Sequence, residues 1–159
     1  MDIKSDWNRI RKHFSKSFKS SLHVAIASVD TDNNPTVTPI GTVFLNKDQT
    51  GFYFEKFPVK LSESINKNIC LLAVNSSKWF WIKALFTVKF NAYPAIKLYG
   101  KLGEKRKATE IEIRALKRRM RTTRKLKGHH YLWGKMENVR EIHFTKAEKI
   151  NIGKMTREM

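Results

Sequence analysis

A chain of 159 residues suits one domain with its own core, and 41% hydrophobic residues, ten Phe, four Trp and four Tyr among them, exclude a disordered chain. One cysteine, Cys70, excludes a disulfide framework and a Cys-rich zinc site. Lys and Arg number 32 against 14 Asp and Glu, a formal charge of +18, and such a surface attracts polyanions, phosphorylated ligands or acidic membranes. The opening stretch "MDIKSDWNRIRKHF" is amphipathic and carries Asp2 and Asp6, unlike a signal peptide, and no apolar run is long enough to span a bilayer. A cytoplasmic protein with no membrane partner is the expectation.

In chain order, residues 1–21 form an amphipathic helix with Ser5 as its cap and Trp7, Ile10, Phe14 and Phe18 on one stripe. "SLHVAIASV" is a strand, apolar at nearly every position and therefore expected to be buried on both faces. "DTDNNPT" breaks it, and "VTPIGTVFLN" resumes as a strand with Pro39 and Gly41 inside it. Both residues weaken ladder pairing, which predicts either a bulge or a close backbone approach. "FYFEKF" is an aromatic strand that stops at Pro58, and a short helix follows with Leu61, Ile65 and Ile69 four apart. Lys60 stands at the first turn of that helix, where the free N–H groups already make a positive end. Together with Ser62 it makes a small anion site, unless it is merely solvated and Glu63 answers the dipole.

"ICLLAVN" is another buried strand. "SSKWFWIKALFTVKFNAYP" shows no clear period and is read as strand pieces with an aromatic excursion, and "AIKLYGKLG" as a strand ended by its glycines. Residues 108–121 hold a basic helix, with Thr109 and Glu112 forming a capping box and Ile113, Leu116 and Met120 its core stripe. "NVREIHFTKAEKINIG" closes the chain as two short strands. Many short strands with few helices define a mainly β protein of the α+β class, a small barrel spanning residues 22–159 behind the N-terminal helix.

These pieces in this order resemble the pyridoxamine 5′-phosphate oxidase-like family of split β-barrels that bind flavin mononucleotide (FMN). The resemblance runs from about Leu22 to Thr156. It rests on "HVAIASVDTDNNPTVTPIGTVFL", "GFYFEKFPVKLSESINKNICLLAV", "AIKLYGKLGEKRKATEIEI" and "VREIHFTKAEKINIGKMT". It implies a homodimer with FMN in clefts at the subunit interface, used as an oxidoreductase with a small redox substrate or a reduced nicotinamide nucleotide. It implies flavin contacts from Thr38, Pro39, Ile40, Gly41 and Thr42. The phosphate end maps onto Phe54, Glu55, Lys56, Lys60, Leu61 and Ser62. The family's oxidases carry a Tyr-Thr pair and then an Arg-Lys pair there; this chain has Phe54-Glu55 and Lys60-Leu61. Glu55 repels a phosphate unless it points away or pairs with Lys56. The incomplete clamp argues against pyridoxamine phosphate as substrate and keeps heme and deazaflavin as alternative cofactors.

Between Lys105 and Lys127 stand eleven basic and two acidic residues, a surplus of nine and half the chain's total. Arg114, Lys117, Arg118, Arg121, Arg124 and Lys125 suit a nucleic-acid backbone, so a non-catalytic polyanion-binding barrel is the alternative function. A solvated helical face is the plainer meaning of such a run. Trp79, Trp81 and Trp133 are candidates for a cleft or a dimer interface, with core packing the commoner role. His129 and His130 are adjacent and diverge, and the spacing of the five His supports no metal site. No residue stands out as a catalytic acid, base or nucleophile.

Overall fold

The computed structural model describes residues 1–56, 61 and 66–157. Helix α1 (Trp7–Ser21) is followed by β1 (Val24–Val29), β2 (Pro35–Ile40), β3 (Val43–Leu45), β4 (Thr50–Phe54) and β5 (Asn68–Val74). Then come α2 (Lys78–Thr87), β6 (Ala95–Lys107), α3 (Glu110–Arg119), α4 (Lys127–Trp133) and β7 (Asn138–Lys149). All seven strands join one antiparallel sheet in the order β2-β1-β5-β6-β7-β4-β3. The two ends of that order are consecutive in the chain and joined by Gly41 and Thr42 alone. Two residues reach about 7 Å, so the sheet has to roll until its edges meet. They meet without pairing, and the result is a split barrel.

Gly41 makes the junction possible. A β-carbon there would lie 2.9 Å from the backbone carbonyl of Leu22. The close approach foreseen at this glycine is therefore made by the chain itself, at the left-handed residue that ends α1. Strand β1 alternates between buried and half-exposed positions, so one of its faces is buried rather than both. Ile26, Leu71, Ile96, Leu98, Tyr53, Ile142 and the fully buried Leu61 fill the barrel. On β4 the neighbours of Tyr53 turn the other way. Phe52 and Phe54 join Val139 and, from α3, Leu116 and Met120 in a second apolar cluster outside the barrel.

Helix α1 lays Trp7, Ile10 and Phe14 on the barrel end, with Phe18 partly buried beside them. Its inner polar groups answer strand-end carbonyls. Trp7 Nε1 donates to Asn46 (2.9 Å), Arg11 Nε to Leu45 (3.2 Å) and Ser17 Oγ to Val74 (2.6 Å). The predicted cap Ser5 does not cap this helix. Asp6 occupies the N-cap without a side-chain bond, and the Ser5 amide instead donates to Asp2 (2.7 Å).

Three further readings need correction. Residues 78–87 are a helix, not strand pieces. Phe80, Trp81 and Phe90 pack together on one side while apolar residues also cover the other, which erases any period. Strand β6 does not end at its glycines but runs on to Lys107, with register shifts at Tyr99/Gly100 and Leu102/Lys105 that let it bend. The closing segment is one strand, not two, followed by a single 3₁₀ turn at Gly153–Thr156. Helix α3 keeps its reading. Thr109 and Glu112 exchange both capping-box bonds, and Leu116 and Met120 are buried.

Candidate functional site

The unpaired seam between β2 and β3 opens into a cleft of about 320 Å³. One wall is the β2 end and the junction, Thr38, Pro39, Ile40, Gly41 and Thr42. The floor is the end of β4, Tyr53 and Phe54, with Glu55 and Lys56 beyond it. The opposite wall is the end of α4 and the turn after it, Leu132, Trp133 and Met136. Eight of the residues that the resemblance assigned to the cofactor thus line one cavity. Thr42 is buried and its hydroxyl donates to the Phe54 carbonyl (3.2 Å), which ties wall to floor. Lys60 and Ser62 lie outside the described residues, as does most of the short helix assigned to them. Leu61 is described, and its side chain belongs to the barrel core rather than to the cleft.

Glu55 departs from its expected pairing. Its side chain is 4% exposed and is held not by Lys56 but by Arg140 of β7 and Lys105 of β6. The Arg140 guanidinium meets both carboxylate oxygens at 3.3 Å, and Lys105 Nζ lies 3.4 Å from one of them. Two cations against one acid leave this corner positive, so Glu55 is no obstacle to an anion. Lys56 is engaged elsewhere: its ammonium donates to the Tyr131 carbonyl and sits 5.5 Å from that ring's centroid. It fastens α4 beside the cleft.

Tyr53 is 1% exposed, and its hydroxyl finds no hydrogen-bond partner among the described residues. Burial, with the Glu55 carboxylate adding to it, pushes the phenol well above its ordinary range; Arg140 acts the other way without prevailing. The group is a neutral donor at any physiological pH. A buried donor without an acceptor costs about 1–3 kcal/mol.

The basic run dissolves on inspection into two populations. Arg114, Lys117, Arg118, Arg121, Arg124 and Lys125 are exposed, as a solvated face requires. Lys105, Arg106 and Arg119 are structural. Arg106 binds Glu112 (2.8 Å) and Glu141 (2.6 Å), linking β6 to the α3 cap and β7. Arg119 lies 3.4 Å from the Phe44 centroid and 4.6 Å from that of Phe18, and donates to the Val43 carbonyl. Burial lowers its pKa to about 10, which still leaves it charged at neutral pH. Among the described residues no three His, Cys, Asp or Glu side chains come together as metal ligands, and no helix is long and apolar enough to cross a membrane.

Tyr53, Arg140, Leu132 and Met136 were missed. The alternation within "FYF" was the available sign for Tyr53, since Phe52 and Phe54 on one face put it on the other. Residues 127–136 carry no strong period, and their place over the cleft is a tertiary fact. Of the three Trp candidates, Trp133 lines the cleft, Trp81 packs inside with its Nε1 on the Asn75 carbonyl, and Trp79 faces outward.

A seven-stranded antiparallel sheet rolled into a barrel and left open at one seam, with a cleft at the seam, defines the split-barrel class. No protein-family model matches the chain, and no curated protein does. Solved structures match across nearly its whole length. An FMN-binding protein from Syntrophomonas wolfei superposes with a TM-score of 0.56 at 12% identity, over 94% of this chain and 95% of that one. HupZ from Group A Streptococcus gives 0.56 at 15% identity, over 92% and 98%. HutZ, the heme storage protein of Vibrio cholerae, gives 0.50 at 9% identity, over 94% and 95%. At 15% identity or less, these likenesses show that the chain shares the split-barrel fold of these proteins.

Proposed function

We propose that this chain binds FMN at the barrel seam and works as a homodimeric oxidoreductase, reduced by a nicotinamide nucleotide or another small redox substrate. The observation that carries the reading is the convergence of Thr38 to Thr42 with Phe54, Glu55 and Lys56 on one cavity, since the resemblance named the first five as flavin contacts and the other three as part of the phosphate end. The residues present fit the group. Among the described residues the buried Tyr53 hydroxyl has no acceptor, and a polar ring edge would supply one. Leu132, Trp133 and Met136 offer an apolar wall against which a flat ring excludes water. The β2 end offers backbone groups from an edge strand that pairs on one side only.

Bound flavin would supply hydride and single-electron chemistry, and the protein's part is to hold and orient it. Glu55 is neutralised by Arg140 and Lys105, so among the described residues the cleft carries no free carboxylate against an anionic tail. Lys60 and Ser62 are assigned that tail from the sequence. Tyr53, held neutral by burial, is not suited to move a proton.

The absorption spectrum of the purified protein, followed by titration with FMN, tests this reading. Flavin bands, or saturable quenching of FMN fluorescence, are expected. Lys60→Ala should weaken binding by about 1.5–3 kcal/mol, the scale of a charge-assisted hydrogen bond. A colourless protein that ignores FMN, or one that gives a Soret band with hemin and no response to FMN, sinks the proposal.

A further inference from the structure

Helix α2 is apolar on both sides, yet one of those sides faces solvent. Phe80, Trp81 and Ala84 point inward, while Trp79 (81% exposed), Leu85 (68%), Phe86 (86%) and the partly exposed Ile82 point out. Spacings of three and four residues bring Trp79, Ile82 and Phe86 onto one stripe, with Leu85 beside it. Scattered exposed apolar residues need no explanation, but a contiguous stripe of large ones marks a contact surface. Such a helix is ordinarily covered.

The surroundings say by what. Lys78 and Lys83 stand on the same exposed side of α2. A groove of about 540 Å³ at the start of the helix is lined by Lys16 and Lys19 of α1 and by Lys78, with Ser20, Ser76 and Ser77 between them. The Ser76 amide donates to Ser20 Oγ (3.0 Å), which holds the two chain segments together there. Residues 7–21 and 64–103 contain no Asp or Glu at all. The stripe is therefore hydrophobic at its centre and cationic at its border.

A second copy of the chain is a poor cover. Two-fold pairing sets the same patch against itself, and a patch without any carboxylate gives its bordering lysines no acidic partner. A surface with an apolar interior and an anionic margin complements it. The stripe is also convex, carried on the outside of a helix, with an indole at one end and aliphatic and phenyl groups behind it. That is the chemistry that settles at the interface of a bilayer, with lysine stems reaching to the headgroups.

We propose that the outer face of α2 is a docking surface for an anionic phospholipid bilayer, with Trp79, Ile82, Leu85 and Phe86 entering the interface while Lys16, Lys19, Lys78 and Lys83 meet headgroup phosphates. The association is peripheral and reversible. It is independent of what fills the cleft, and failure of either idea leaves the other standing.

Sedimentation of the full chain with vesicles tests it. Phosphatidylcholine vesicles containing about 30% phosphatidylserine should carry the protein down, and pure phosphatidylcholine vesicles should not. The double variant Trp79→Ser/Phe86→Ser changes only exposed side chains, so its circular dichroism should be unchanged. It should lose about tenfold in partitioning, and Lys78→Glu/Lys83→Glu at least as much. The decisive control is the first variant, because a chain of charge +18 adheres to anions in any case. Equal sedimentation of Trp79→Ser/Phe86→Ser and wild type would reduce the effect to bulk charge and overturn the proposal. So would a wild-type chain that ignores anionic vesicles but shifts its tryptophan fluorescence with an acidic amphipathic peptide. Conversion of a wild-type dimer to a monomer by the same double variant would give the face to self-association instead.

Discussion

Tyr53 separates stability from binding at a single atom. Its hydroxyl is buried with no partner among the described residues, so Tyr53→Phe removes a group that burdens the fold. The melting temperature should stay level or rise, while FMN affinity falls by about five- to tenfold, the worth of one hydrogen bond. A loss of stability with unchanged affinity would mean that the hydroxyl serves the fold alone. His13 is the residue to watch as pH falls. Burial lowers its pKa below the ordinary 6.5, with Lys16 helping and the Ala73 carbonyl at 2.9 Å opposing. The unfolded chain therefore takes up a proton near 6.5 that the folded chain resists. This contribution to stability is complete above 6.5 and is lost as pH drops toward the lower folded value. Urea midpoints measured between pH 7 and 5 should decline in the wild type and flatten in His13→Gln. Arg119 shows the limit of counting charges, because one of the eleven cations of the basic run is spent wedging α3 against Phe44 and Phe18.

Elements differ in how openly they announce themselves. Helix α3 was legible because its capping box and its stripe agree, and Thr109→Ala should cost about 1 kcal/mol in denaturant unfolding. An unchanged midpoint would show that Arg106, through its bonds to Glu112, holds the cap without the hydroxyl. Helix α2 was not legible, since amphipathic period is the signal for a helix and its exposed face is as apolar as its buried one. Strand β6 runs past its glycines, residues that usually end a strand. Here Gly100 sits where a β-carbon would come within 2.5 Å of the His143 carbonyl, so the glycine permits a close crossing of β7 instead. Helix α4 has seven residues and none of them buried, too little pattern to be found in advance.

At the scale of the molecule, the cleft exists because the sheet fails to close. Strand β2 at one edge and β3 at the other are held together by two residues rather than by a ladder. Gly41→Ala tests that junction. Its methyl would come within 2.9 Å of the Leu22 carbonyl, a backbone atom that cannot swing aside, so a cost of about 1–3 kcal/mol is expected in thermal or chemical unfolding. If the seam is also the flavin site, FMN affinity should fall with it. A fully stable Gly41→Ala would mean that α1 shifts freely on the barrel, against its bonds to Asn46, Leu45, Ala73 and Val74.

The resemblance to a known family supplied the list of residues on the cleft's first wall and, Tyr53 apart, on its floor; the amino-acid order alone settled the number and sequence of most strands, the stripes of α1 and α3 and the cap of α3. Those are local matters of period, turn chemistry and spacing. The partners of Glu55, the want of a partner for the Tyr53 hydroxyl among the described residues, the second wall from α4 and the outward stripe of α2 came from the folded chain. Each depends on residues dozens of positions apart being brought within a few ångströms, and a periodic pattern carries no record of which distant group arrives.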